Sequence, residues 1–279
     1  MKIADVIKKL TSWHAPLDHP EHTCDTVKIG DPEVECTGIV VTCCATVDVI
    51  RAAIEKKCNL IIAHEPLFYH DKDTTDWLQN DAVFQEKQKL LMDAGIVVWR
   101  DHDHMHGPGG PGAVAHTEND YIYYGIMKEL GWEPYVIGET TKPLFYEIPP
   151  RTVAELAREL AAAYELTGVR LVGDKDARVS KVFFCEHVTG GPMSNDNRKI
   201  IQAVDYDVMI PLEIIDWTLS AYVRDAAQLG KGKAIIEMGH FNTEELGMRY
   251  MCKWLPDVVG GDIPVHYVQS GDSFSYILR

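Results

Sequence analysis

Three short segments gather the residue types that bind metal ions. The first is Leu60-Ile61-Ile62-Ala63-His64-Glu65-Pro66, where an apolar run of strand length ends on an imidazole and a carboxylate. The second is Trp99-Arg100-Asp101-His102-Asp103-His104-Met105-His106-Gly107, which again follows an apolar run, Ile96 to Trp99. The third is Met238-Gly239-His240-Phe241-Asn242-Thr243-Glu244-Glu245, after the run Ala234 to Met238. Neutral imidazole and ionised carboxylate are ligands for Zn²⁺, Fe²⁺ or Mn²⁺. Two imidazoles with two or three further such groups can hold two divalent ions and leave positions for water. Taken alone, a His beside a Glu is an ordinary exposed pair, and Glu244 in a first helical turn complements the helix dipole without binding anything. Their shared placement is the stronger signal, because ligands of α/β sheets bind just outside the carboxyl ends of strands.

The elements that must position these residues follow an alternating rhythm. Short apolar runs rich in Val and Ile, with helical spacing between them, predict buried parallel strands covered by helices. Strands are expected at 38–44, 59–64 and 96–99, with helices at 47–54, 82–94 and 119–130. In the second half, Thr152-Val153-Ala154-Glu155 reads as a capping box opening a helix to Leu166. Strands at 169–172, 179–185, 207–211, 234–238 and 265–269 alternate there with helices at 196–203, 215–229 and 244–255. If the chain stays extended after Trp99, His102, His104 and His106 project to one side and Asp101 and Asp103 to the other. Gly239 permits a tight turn, Asn242 reads as the helix cap with Glu245 three residues later, and His240 falls on the turn before the helix. The segment Tyr135 to Pro150, with three Pro, is the expected boundary between two halves.

Composition narrows the function classes. The chain of 279 residues carries 42 acidic against 27 basic residues, a formal charge of −15, so a grip on nucleic acid or on anionic lipid would need a local basic run, and none occurs. The apolar runs are too short to span a membrane. Seven Cys, an odd number with no C-x-x-C, argue against a disulfide framework; with no secretory leader visible, a cytoplasmic location is expected. The glycine-rich run 107–112 lacks the Lys-Ser/Thr ending of a phosphate loop, and neither a G-x-S-x-G elbow nor an H-E-x-x-H helix is present. Of the 12 His, those at 19, 22, 70, 116 and 266 read as surface or packing residues, while His187, just before Gly190-Gly191, is a minor candidate for the pocket.

In this order the segments resemble motifs of the Nif-three-like family, also called the type 2 GTP cyclohydrolase I family or dinuclear metal-centre proteins. Asp25-Thr26-Val27-Lys28-Ile29-Gly30-Asp31-Pro32 is similar to its W-D-N-x-G-L-x-x-G-D segment, and Ile61 to Phe68 to I-I-x-H-H-P-L-x-F. Val97 to His106 is similar to Y-S-x-H-T-N-L-D, and Gly239 to Glu244 to G-H-Y-x-x-E. The resemblance implies metal ligands at His64, Glu65, His106, His240 and Glu244. Two of these depart from the pattern: Glu65 stands where a second His is expected, and His106 where a bridging Asp is expected. The exchange keeps three imidazoles and two carboxylates but removes the bridge, so one ion, or two with altered spacing, is expected. Glu213, in the segment replacing the family's glycine-glutamate stretch, could line the same cleft.

The implied fold is α/β: two interlocked α/β domains with mainly parallel, helix-covered sheets and the metal site between them. The implied domains are 1–135 with 236–279, and 136–235, and the implied assembly is a homohexamer. The expected function is a metal-dependent hydrolase in which one or two divalent ions (Zn, Fe or Mn) activate water toward a small-molecule substrate, in a GTP-cyclohydrolase-like reaction or phosphoester hydrolysis. His102, Asp103 and His104 are the candidate catalytic residues or ligand orienters. The alternative is a non-enzymatic metal-binding ring acting through protein partners.

Overall fold

The computed structural model describes residues 1–107, 119–188, 199–201 and 205–277. It is a mixed α/β structure with two five-stranded sheets. The chain divides into two compact units, the first comprising Met1–Ile126 with Glu245–Ser270 and the second Met127–Glu244 with Gly271–Arg279. The strand 234–237 therefore belongs to the second unit, whereas the implied domains above assign its last residues to the first.

In the first unit the strands are β1 (Val27–Ile29), β2 (Ile39–Thr42), β3 (Leu60–Ala63), β4 (Val97–Arg100) and the last strand of the chain, Val265–Tyr267, in the order β1-β4-β3-β2-last. β2, β3 and β4 run parallel, the last strand lies parallel to β2, and β1 closes the far edge antiparallel to β4. Every residue of β2, β3 and β4 is buried, as strands rich in Val and Ile require when both faces are covered. Helices α1 (Ile3–Trp13), α2 (Val47–Glu55) and α3 (Ala82–Asp93) belong to this unit. Ile50 and Ala53 of α2 and Phe84 and Leu91 of α3 pack with Val40, Ile61 and Val98 of the strands in one core. Thr46 and Asp81 cap α2 and α3 through their side chains.

The second half departs from expectation at three places. β5 (Phe145–Thr152) is an eight-residue strand that includes Pro149 and Pro150, where a loop is expected. It is tolerated because β5 lies at the edge of the sheet, antiparallel to β7 (Arg178–Phe184), and its register shifts between Glu147 and Arg151. Beyond α6 (Val153–Ala163), which the expected capping box opens, lie β6 (Arg170–Gly173), β8 (His187–Val188), β9 (Val208–Ile210), β10 (Glu213–Ile214), α7 (Leu219–Gln228) and β11 (Ala234–Glu237). The sheet order is β5-β7-β9-β11-β6, with β7, β9 and β11 parallel; the second departure is the separate parallel pair β8 and β10, where no strands are expected.

The third departure is α8 (His240–Val259), which begins at His240 rather than at Glu244. His240 thus stands in the first turn and not before it, and Asn242 is no cap: its Oδ1 accepts from Ser273 N at 2.8 Å and its Nδ2 donates to Gly271 O at 2.8 Å. Glu245 accepts from Ser270 N and Tyr267 Oη, outside any capping box. Gly239, at φ +104°, makes the abrupt start possible; a Cβ there would also come within 3.0 Å of Ser273 Oγ. The run 108–112 and His116 lie outside the described residues, as does most of the helix expected at 196–203. Among the described residues no helix is long and apolar enough to cross a membrane.

Candidate metal centres

His64 follows β3 and Asp101 follows β4, and these are adjacent parallel strands, so the two segments meet at one carboxyl edge. Asp101 N donates to Ala63 O at 2.9 Å and continues the pairing one residue past the strands. Arg100 fixes the turn after β3: its Nε donates to His64 O at 2.9 Å and its Nη1 to Asp71 O at 2.6 Å. The Glu65 carboxylate lies 3.8 Å from the same guanidinium.

The segment after β4 is not extended. Residues Asp103–His106, α4, form one helical turn, because a carboxylate from a distant loop organises it. Asp25 Oδ1 accepts the amides of His102 and Asp103 at 2.7 and 2.9 Å, and its Oδ2 accepts the amide of His104 at 2.8 Å. Three successive N–H groups on one carboxylate are the satisfaction that a helix N-terminus demands. The consequence reverses the expected sidedness. His102 and His106, four apart on a turn, face the same way as His64, whereas His104 turns to Asp25, with its Nδ1 2.6 Å from Oδ2. Burial alone raises the Asp25 carboxyl, but the bonds from His104 and the three amides outweigh it and hold it low. His104 is raised: burial opposes its charge, and the Asp25 bond outweighs that.

His64, His102 and His106 each bring a nitrogen within 4.8 Å of the others'. His64 and His102 stack at 4.6 Å between centroids, and His106 lies edge-on to both. The tautomers follow from the partners. His64 Nδ1 is 3.1 Å from the carbonyl oxygen of Asp101, which only accepts, so in the neutral ring Nδ1 carries the proton and Nε2 the lone pair. His106 Nδ1 lies 3.1 Å from Asp120 Oδ2, which likewise takes its proton when ionised. Asp120 is buried and its other oxygen accepts the Ile122 and Tyr123 amides at the start of α5 (Tyr121–Leu130). The two Nε2 atoms face one another at 3.2 Å. Two lone pairs converge there unless a cation joins them, and two nitrogens on one tetrahedral Zn²⁺, each about 2.0–2.1 Å from the ion, stand roughly 3.3 Å apart. The donor set fits a divalent ion.

Of the other expected residues here, Asp103 is committed to structure. Its oxygens accept from Thr23 Oγ1 at 2.8 Å, Cys24 N at 2.9 Å and His102 Nδ1 at 3.0 Å, and the His102 bond most of all holds its carboxyl far below the ordinary range. Asp103 and His104 both support the turn through these bonds. Sequence reasoning did not single out Asp120 or Arg100. A lone Asp before an apolar helical run was the signal for the first, and a charge closing a buried strand the signal for the second.

In the second unit, β7, β9 and β11 are parallel neighbours, and their carboxyl ends carry His187, Glu213 and His240 in turn. The β8–β10 pairing sets Glu213 directly beside His187. Glu213 Oε1 lies 2.6 Å from His187 Nδ1, and its Oε2 2.6 Å from His240 Nδ1. Burial pushes the Glu213 carboxyl up, but the two imidazoles outweigh it and hold it down at about 2; His187 is raised by its bond to Glu213. Within α8, His240 Nε2 is 3.6 Å from the buried Glu244 Oε2. An imidazole nitrogen and a carboxylate oxygen at that spacing again suit two ligands of one ion.

Fold and site together define a class: a two-unit α/β protein that displays histidine–carboxylate clusters at the carboxyl ends of parallel strands. The family model for Duf34/NIF3 (NGG1p interacting factor 3) matches residues 1–271, and the chain belongs to that family. A Clostridium acetobutylicum protein named GTP cyclohydrolase 1 type 2 homolog is 25% identical over 236 residues, covering 81% of this chain and 79% of that protein. A Staphylococcus aureus protein of the same name is 42% identical over 154 residues, 53% of this chain, and there the match spans only 37% of the relative's length. The crystal structure of a Bacillus cereus protein related to NIF3 superposes with a TM-score of 0.71 at 15% identity, over 99% of both chains, and shares the fold.

Proposed function

We propose that the protein is a divalent-metal-dependent hydrolase with ligands at His64, His106, Glu65, His240 and Glu244. The facing Nε2 atoms of His64 and His106, 3.2 Å apart and both backed by acceptors at Nδ1, carry this reading. A divalent ion held by such ligands supplies Lewis acidity, polarising an electrophile and lowering the pKa of water. The chain's own residues do the rest. Asp101 O and Asp120 orient the two imidazoles by accepting hydrogen bonds from Nδ1–H, as carboxylates and carbonyls behind metal-bound histidines do. His102, stacked on His64 with Asp103 at its Nδ1, is the imidazole best placed to take up or release a proton beside that pair.

The family relatives' name supports a nucleotide or another small phosphorylated molecule as substrate. All seven cysteines are free thiols, which supports residence in the reducing cytoplasm. The homohexamer implied by the resemblance is part of this reading.

The test is elemental analysis of the purified protein with hydrolysis assays across nucleotides and phosphate esters. Wild type is expected to retain zinc, iron or manganese through dialysis and to lose turnover on chelation. His64→Ala is expected to retain much less metal while remaining folded by circular dichroism. Undiminished metal in folded His64→Ala would sink the reading.

A further inference from the structure

Glu213 holds two imidazoles with one carboxylate, and the established motifs account for neither the carboxylate nor the second imidazole. We propose that Glu213 is the positioning residue of the second unit's metal pair, and that His187 is the arm that keeps Glu213 in place. The proposal rests on the metal reading above and deepens it for His240 and Glu244.

Three observations carry it. First, Glu213 is brought to His240 by the sheet and not by exposure. It sits at β10, two residues beyond the buried Ile210-Pro211, and its register partner across the small parallel pair is His187. Second, both oxygens are used, each at 2.6 Å from an Nδ1, the short spacing of charge-assisted bonds. A carboxylate pinned at both oxygens cannot rotate away from either ring. Third, the bond at Nδ1 decides what His240 offers at its other nitrogen. With its Nδ1 proton donated to Glu213, neutral His240 presents a lone pair at Nε2, and Nε2 is the atom 3.6 Å from Glu244 Oε2. Without an acceptor at Nδ1 the ring is free to carry its proton on Nε2, which cannot then ligate.

At His240 the proposed ligand carboxylate of Glu244 stands 3.6 Å from Nε2. The His187 and His240 rings stand 5.2 Å apart, tilted by 49°, and both turn Nδ1 to Glu213. The bond to Glu213 Oε1 assigns His187 as the support of that carboxylate. Arrangements of this type, carboxylate to histidine to metal, lose roughly 10–100-fold in metal affinity when the outer carboxylate is changed.

The experiment is a Co²⁺ titration of the metal-stripped full-length protein, followed by visible absorption and by metal content after dialysis. Four proteins are compared: wild type, Glu213→Gln, His187→Gln and the double variant His240→Ala/Glu244→Ala. Glu213→Gln keeps the side-chain length but offers only one accepting oxygen. It is expected to weaken the ion that the double variant abolishes by 10–100-fold, to alter its absorption bands, and to leave the ion at His64 and His106 unchanged. His187→Gln, which leaves Glu213 itself intact, is expected to weaken the same ion by a smaller factor, and it preserves the test should Glu213→Gln fold poorly. If the double variant loses an ion while Glu213→Gln and His187→Gln bind as wild type does, the positioning role is wrong and the metal reading stands. If the double variant loses no ion, the assignment of His240 and Glu244 falls, and this proposal falls with it.

Discussion

The two units solve the same problem with different materials. Each gathers imidazoles at the carboxyl ends of adjacent parallel strands. In the first unit the gathering is done by backbone: Asp25 holds three successive amides of the α4 turn, Asp101 continues the sheet pairing, and Arg100 ties the turn after β3. His64 is fully buried. In the second unit the gathering is done by side chains: one carboxylate between two imidazoles that are each about a third exposed. The lesson is that the first cluster is part of the fold, and the second is fastened onto it.

That contrast can be broken by mutation. The largest effect is expected for Asp25→Ala, which leaves three amides and a buried His104 without their acceptor. Removing one partner of a buried charge pair costs about 3–5 kcal/mol, and chemical denaturation should show a loss in that range together with loss of the ion at His64 and His106. A loss below about 1 kcal/mol, the level of a surface change, would mean that the α4 turn holds itself.

A second measurement sharpens the description of the first unit's interior. Lys87 of α3 is buried, donates to Leu67 O at 2.7 Å, and is pushed down from the ordinary 10.5 to about 8, burial being the main cause. Between pH 8 and 10.5 Lys87 in the unfolded chain therefore binds a proton that it does not bind in the folded chain, so its contribution to stability rises with pH across that window. The rise amounts to about 3 kcal/mol at 1.36 kcal/mol per unit. It should appear as a difference between the two proteins, wild type gaining stability relative to Lys87→Met as pH rises from 8 to 10.5. Parallel curves for the two proteins would contradict a desolvated ammonium.

The smallest effect on stability is expected for His240→Ala. The side chain is partly exposed and its bond is to a partly exposed carboxylate, so thermal unfolding should move by no more than about 1 kcal/mol, while retention of metal by the second unit falls sharply. A large destabilisation would show that the second cluster is as much a part of the fold as the first.

Much of this was legible in the sequence. The Val- and Ile-rich runs at 59–64, 96–99 and 234–238 read as buried strands, and the ligand-type residues at the end of each placed the chemistry at strand ends, because binding sites in such sheets form there. The capping box at Thr152 and Glu155 is a local pattern and folded as read. What the sequence could not contain was any effect of a distant group on local conformation. His102, His104 and His106 alternate in the chain, yet Asp25, some eighty residues earlier in sequence, curls them into a turn and sends His104 the opposite way. Asn242 has the type and position of a cap, yet Gly271 and Ser273 claim its amide, and the helix starts two residues before it. Strand ends are set by the composition of the strand itself. The tautomer and direction of each imidazole are set by whichever acceptor the tertiary structure brings to its other nitrogen, and those acceptors, Asp101 O, Asp120 and Glu213, come from elsewhere in the chain.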